Sequence, residues 1–581
     1  SGAEVTIDKD TVLTATSGEG AAVFIGQDAD ANAKYTLNVY GKVIQEAKSF
    51  AISGNGSYKG TTTINIYDGA EVKSPTCVAI FQPQAGVTNI YGGLVEGKCA
   101  IGIKSGALNI SGGTVRGTVN DHVLSDENSS GNGISYDGSA IIVDSRATGY
   151  AGNVKINVTG GTVESYYSNA IREIGNDPSV TQLTELKVTG GNVFGASSST
   201  GNVTNDMLVR DISVSNVSVS GGAFKHEVQS DYCADKFVPV NNNDGTYGVK
   251  VNDTVYVAKL LNAQGAYVNA YGTLAEAINA AGNGDTVTLL KNVTENVTIP
   301  AGKTITLDLN GFTLVNSATA QTNTAADRKH TITNNGTLTI KDSVGGGIVD
   351  NVSHGCAAIK NNVGGTVTIE NGTFCRTAEA STGADNSGGN SYYVIDNQGT
   401  MNINGGTFKF SDTKDGAYSS LIHNGWQDGT KNTGKTPAKM TITDGNFTQG
   451  TGGKITVKND DYGELKIQGG TFTQPQEGYY CVLNWNVAEI TGGTINGPVG
   501  CGGNESLEGD KGKLTIGGTA RIDGELQKNT SYGEPSISVT GGNFANSVKD
   551  YVVSDLNAEL KRASGETPYS YYTDVAAAAA A

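Results

Sequence analysis

The sequence predicts an all-β protein: two tandem right-handed parallel β-helices, or solenoids, with small capping elements. Three observations carry this reading. An eight-residue phrase returns along the whole chain, its copies lie about one solenoid coil apart, and 81 of the 581 residues are glycine, about twice the usual share. With only 10 prolines and 17% charged residues, the glycine belongs neither to collagen nor to a disordered Gly/Pro polymer.

The phrase is apolar, any, Ile/Val, any, Gly-Gly, Thr/Asn, Phe/Val/Ile. It reads LNISGGTV at 108–115, INVTGGTV at 156–163, LKVTGGNV at 186–193 and VSVSGGAF at 217–224. Later copies include VTIENGTF at 367–374, MNINGGTF at 401–408, MTITDGNF at 440–447, LKIQGGTF at 465–472 and ISVTGGNF at 537–544. Apolar and polar residues alternate on either side of the glycines, which is the period of a strand. Glycine supplies the positive φ of a tight turn between two strands. From 444 the turns recur at 469, 492, 517 and 541, steps of 25, 23, 25 and 24 residues. Three short strands and three turns fill one such coil, so the repeat is that of a parallel β-helix.

A second column supports the first. The triplets 332–334, 359–361, 395–397, 422–424, 457–459 and 482–484 each read apolar, any, asparagine. Stacked coils would align Asn334, Asn361, Asn397, Asn424, Asn459 and Asn484 into an amide ladder. Phe374, Phe408, Phe447 and Phe472 would stack in the same way.

In chain order, residues 1–225 form the first β-helix and 226–258 a terminal cap with a hairpin around Asp244-Gly245. Residues 259–285 are a linker and a short capping helix, whose apolar face is read as Ala275, Ile278 and Ala281, stopped by Gly282 and Gly284. Residues 286–548 form the second β-helix and 549–575 its cap. Both arrays end alike, in GGAFKHEVQSDY (221–232) and GGNFANSVKDY (541–551). The alanine run 576–581 carries no readable chemistry.

The AEAINAAGNGDTVTLL opening (275–290), the ISGGTV phrase and the DGTYGV terminator (244–249) resemble the pectin-lyase-like β-helix modules of secreted or wall-attached surface proteins of Gram-positive gut bacteria. The resemblance covers nearly the whole chain and rests on turn and core residues. It implies an extracellular location and an adhesin-like or carbohydrate-binding role, with a glycan or another host or bacterial surface ligand as partner. Polysaccharide lyases and glycoside hydrolases of the β-helix type are the enzymatic alternative, and a passive spacer the structural one.

The net charge of −17 argues against nucleic acid, whose phosphates need clustered Lys and Arg. No apolar run approaches the length of a membrane span, and a monomer is expected. The seven cysteines form no C-x-x-C and no Cys/His cluster, so neither zinc nor a disulfide framework is signalled. No cofactor is expected. Calcium is not signalled either: Asp28-x-Asp30 and the Asp121/Asp126/Glu127 stretch offer oxygen ligands without the spacing of a calcium loop.

For catalysis, a hydrolase needs converging carboxylates, yet the single Asp-Asp, Asp460-Asp461, follows Ser353-His354-Gly355 in the wrong order and no Arg-x-Lys occurs. Arg172-Glu173 and Arg210-Asp211 are the best lyase candidate, with a salt-bridged surface ladder as the favoured reading. No catalytic residue and no metal ligand is assigned. The candidate ligand-binding residues are aromatic and polar. Tyr392-Tyr393 and Tyr479-Tyr480 stand at equal offsets before their glycine pairs, while Tyr418, His423, Trp426 and Gln427 lie in the insertion 409–439. Insertions map to a solenoid's flank, where sugar rings can stack on aromatic faces.

Overall fold

The computed structural model describes residues 2–18, 20–26, 30–120, 136–145, 150, 152–175, 182–197, 203–317, 329–353, 355–376, 393–410, 420–426, 434–450, 453–503, 512–531, 533–565 and 567–581. Tyr392, Tyr418, Gln427, Asp28, His354 and the 121–127 stretch lie outside the described residues. The chain divides into two compact units, Ser1–Asn252 and Asp253–Ala581.

Each unit is a parallel β-helix. In the first, eight strands from Gly2–Ile7 to Asn216–Val219 form one face, each paired in parallel with the strand one coil later. The other two faces belong to one 15-stranded sheet. They join because Glu71–Gln82 and Leu94–Ile103 run through the corner between them, with a register shift between Gly97 and Cys99. In the second unit three separate sheets of 12, 12 and 9 strands make the three faces.

The alternating pattern explains the packing. Ile340, Ile369, Ile403, Ile442, Ile467, Ile490, Ile516 and Val539 share one register and are fully buried. Such columns put every second side chain of each strand inside the coil. Where the phrase reads Gly-Gly, the two glycines do different work. Gly113 has φ +69°, while a Cβ on Gly112 would strike the Tyr91 carbonyl of the preceding coil. The first glycine therefore permits close stacking and the second permits the turn.

Both predicted ladders form. The side-chain amide of Asn334 donates to Asn361 Oδ1 at 2.8 Å, and the chain continues through Asn397, Asn424 and Asn459 to Asn484 at 2.7–2.8 Å. All six are fully buried, a polar row admissible inside the coil because each amide also donates to backbone carbonyls. The rings of Phe374, Phe408, Phe447 and Phe472 stack at 5.1, 4.6 and 4.5 Å.

Residues 259–285 are built into the second unit. Ala258–Leu261 pairs antiparallel with Tyr267–Tyr271 and with Asp285–Leu289, the first strand of the array. The helix Leu274–Ala280 starts at a capping box of Thr273 and Glu276. It buries Leu274, Ala277 and Ile278, with Ala281 just beyond, while Ala275 faces solvent. Ile278 and Ala281 are buried as the sequence reading has them, but Leu274 and Ala277, not Ala275, complete the apolar stripe. The Lys303 ammonium donates to the carbonyls of Ile278, Asn279 and Ala281 at the helix end.

The array ends match as the sequence anticipates. A 3₁₀ turn, Ser230–Tyr232 or Lys549–Tyr551, leads to an isolated parallel bridge, Val219 to Cys233 or Val539 to Val552. A hairpin follows, Phe237–Asn241 with Tyr247–Val251 or Ala558–Lys561 with Tyr569–Tyr572. The final alanines are not inert, since Val575–Ala580 is a helix with Asp574 as its N-cap.

None of the seven cysteines is in a disulfide, and six of them are buried. Burial pushes the Cys481 thiol up to about 12 and the Cys501 thiol up to about 11, so they behave as small apolar core groups.

Candidate functional site

The outward residues of four of the Asn triplets build a charged column on the second unit. Ile and Asn of each triplet point inward, so the middle residues Lys360, Asp396, His423 and Lys458 align on the outer face of the nine-stranded sheet. Lys360 Nζ lies 2.6 Å from Asp396 Oδ2, and Asp396 Oδ1 lies 2.9 Å from His423 Nδ1. On the other side His423 Nε2 is 3.3 Å from Asp460 Oδ2, which also takes Lys458 Nζ at 2.7 Å. The order is cation, carboxylate, imidazole, carboxylate, cation.

His423 is 3% exposed and Asp460 0%, so these charges hold only because each has an opposite neighbour. Burial alone would raise the Asp396 carboxyl, but Lys360 and His423 outweigh it and hold the group well below the usual carboxylate range. Burial would lower His423, yet its contacts with Asp396 and Asp460 raise it above the ordinary histidine value. With a carboxylate near each ring nitrogen, and the Tyr393 ring stacked on its face at 4.3 Å, the protonated form of His423 is favoured. It is neither an open base nor a ligand contact. The sequence reading counted it both in the core triplet 422–424 and in the insertion 409–439; the structure places it on the core strand Ser420–Asn424.

A raised histidine stabilises the fold fully below its unfolded value near 6.5 and loses that contribution as pH rises through its folded value. His423→Gln is therefore expected to cost most stability at pH 6 and progressively less towards pH 9, read from denaturant midpoints. A cost independent of pH contradicts the charged state. His330 has the opposite sign. Burial lowers it to about 4, and the Ala357 N–H donates to its Nδ1, so its contribution is lost as pH falls from about 6.5 towards 4.

The aromatic edge lies at the end of the same column. The backbone N–H of Trp426 donates to Asp461 O at 2.9 Å from one coil, and the backbone N–H of Trp485 to Asn459 O at 2.8 Å from the coil on the other side; the Trp426 indole N–H donates to Thr436 O. The chain's two tryptophans thus flank the turn 459–462. Within that turn Tyr462 has φ +55°, a left-handed conformation that costs a bulky residue energy and concentrates at functional positions. Its hydroxyl accepts the Gly434 N–H. Lys435 Nζ stands 4.7 Å from the Trp426 ring centroid and Lys458 Nζ 4.2 Å from that of Trp485, both in cation–π range. All three aromatic rings are half-buried.

The tyrosine pairs are elsewhere. Tyr393 and Tyr480 do share a register, two residues before Ile395 and Val482 in aligned strands, as their offsets imply. Tyr393 is buried, whereas Tyr480 is half-buried against Gly500, where a Cβ would lie 2.5 Å from its ring. Tyr479 lies beside Lys454 at 5.4 Å. Trp426 follows the strand end and Tyr480 precedes the strand start, six register positions or roughly 20 Å apart along the strand direction. Among the described residues, therefore, Tyr393, Tyr479 and Tyr480 are not gathered into one groove with Trp426. Trp485 and Tyr462, which the spacing analysis passed over, take the place beside Trp426. A two-tryptophan composition was the available signal.

The lyase candidate also rearranges. Arg172 pairs in register with Leu208, and its guanidinium bonds Asp137. Glu173 accepts the Arg210 backbone N–H and the Ser145 hydroxyl, and Asp211 turns back onto Ser213. The two phrases lie on neighbouring coils, as read from the sequence, and Asp137, from outside both, takes the Arg172 guanidinium. Among the described residues no group of three or more His, Cys, Asp or Glu could hold a metal ion, and no helix is long and apolar enough to cross a membrane. Compared with known proteins, the chain matches no family model, no curated protein and no solved structure.

Proposed function

We propose that the chain is a non-catalytic, carbohydrate-binding module of an extracellular, adhesin-like protein, and that the second β-helix offers the Trp426–Tyr462–Trp485 edge to a glycan. One observation carries the reading: Trp426 and Trp485, both half-buried, are tied by their backbone N–H groups from the coils on either side to the turn 459–462, which presents half-buried Tyr462 at positive φ. Aromatic faces take the apolar face of a sugar, and the half-buried Lys435 beside Trp426 offers a donor to its hydroxyls. The pectin-lyase-like resemblance of the opening and turn motifs supports the same assignment. So does the chemistry behind the edge, where the only described histidine in the charged column has both nitrogens occupied by carboxylates.

A glycan array probed with the full chain tests the proposal. Binding to at least one glycan class is expected, weakened about ten-fold or more by Trp426→Ala, the loss typical of an aromatic anchor. Binding unaffected by Trp426→Ala and Trp485→Ala overturns it.

A further inference from the structure

The outer face of the first β-helix carries a second aromatic feature, unrelated to the edge just described. Tyr40, Tyr67 and Tyr91 occupy one register at the end of successive strands of the eight-stranded sheet. Their rings stack, Tyr40 on Tyr67 at 4.2 Å and 4°, Tyr67 on Tyr91 at 5.3 Å and 25°. In the next coils the same position holds Ser111, Thr159, Thr189 and Ser220. The stack therefore stops at Tyr91, which is 51% exposed. Its far ring face looks along the coil direction over the small side chain of Ser111, which is itself exposed.

Two residues back on each strand runs a row of asparagines on the same face. The amide of Asn65 donates to Asn38, Asn89 to Asn65, Asn109 to Asn89 and Asn157 to Asn109, each at 2.9 Å. Unlike the buried ladder of the second unit, this one is half-exposed. An asparagine amide has two donors and a two-lone-pair acceptor. One donor of each is used along the row, which leaves groups to face solvent. From Asn38 to Asn157 in this row, and from Tyr40 to Ser220 in the other, every register position is uncharged, in a chain of net charge −17.

We infer that the Tyr91 face, the Ser111 shelf and the Asn89–Asn109–Asn157 amides form a binding site for a pyranose ring of a neutral oligosaccharide. One sugar ring stacked on Tyr91 takes the position of the missing fourth ring, since neighbouring coils are about 4.8 Å apart. Its equatorial hydroxyls then meet Ser111 Oγ and the asparagine amides. The row positions at Tyr91 and Ser111 are uncharged and suit a neutral ring, while Lys155 and Lys187 border the row only at Asn157. The site stands on the first unit alone and does not depend on the Trp426 edge.

Full-chain protein titrated calorimetrically with cellohexaose, mannohexaose and chitohexaose, with a galacturonic acid hexamer as acidic comparator, tests the inference. At least one neutral hexasaccharide is expected to bind. Tyr91→Ala weakens it about ten-fold or more. Ser111→Tyr extends the stack, fills the shelf and abolishes binding while leaving the melting temperature equal to or above the parent's, so lost affinity is not lost folding. Trp426→Ala leaves this binding unchanged. No neutral hexasaccharide bound at millimolar concentration, binding of the acidic comparator only, retention in both Tyr91→Ala and Ser111→Tyr, or loss in Trp426→Ala each overturns it.

Discussion

Phe408→Ala is expected to destabilise the second β-helix by about 3–5 kcal/mol, the range for removing a buried aromatic ring. Phe408 is fully buried, with Phe374 stacked on one face at 5.1 Å and Phe447 on the other at 4.6 Å. Its loss opens a gap in the middle of a column whose neighbours are fixed by strand register, so they cannot collapse into it. In a solenoid each coil is stabilised mainly by the coils beside it, and the damage should therefore spread along the array. The denaturant midpoint of the second unit's transition reads the effect. A cost below about 1 kcal/mol would show that the column relaxes freely and that coil register is not the constraint.

The other large effect belongs to Asp460. Asp460→Ala is expected to cost about 3–5 kcal/mol, because it leaves Lys458 and one side of the His423 imidazolium without their carboxylate in a buried setting. The pair Lys458→Met with Asp460→Leu removes both charges of one ion pair and should cost less than Asp460→Ala alone, since a buried ion pair gains little over apolar groups of similar size. The comparison separates the two accounts of the column. If the double variant is the less stable one, the charges stabilise by mutual attraction; if it is the more stable, the cost of Asp460→Ala is that of an unpaired buried charge.

The fold was legible because its determinants are local and repeated. Gly112-Gly113 announces a turn from two letters, and the asparagines of the 332–484 triplets announce their ladder because coil length converts sequence spacing into vertical alignment. Tyr393 and Tyr480 fall in register for the same reason. The functional edge was only half legible. Trp426 stood out by composition, but its neighbours Tyr462 and Trp485 belong to later coils, and no local pattern predicts that a tyrosine will adopt φ +55°. His423 was counted both in an insertion and in the core triplet between Ile422 and Asn424, and the triplet is its place. The partner of Arg172, Asp137, is set by a segment whose length varies between coils, so spacing could not identify it. The Asn-x-Tyr triplets at 38–40, 65–67 and 89–91 were plain in the sequence. They were missed because the Gly-Gly phrase is degenerate in the first coils, where Tyr67 is followed by Asp68-Gly69.

With only two tryptophans in the chain, Trp485→Phe leaves Trp426 as the sole indole reporter of the proposed edge. Titrating that variant with the glycan class selected on an array, while recording indole emission, tests the central claim most directly. A saturable shift or quench of Trp426 emission, at the same midpoint as calorimetric binding, is the expected result. Calorimetric binding to that glycan with indole emission unchanged through saturation would contradict it.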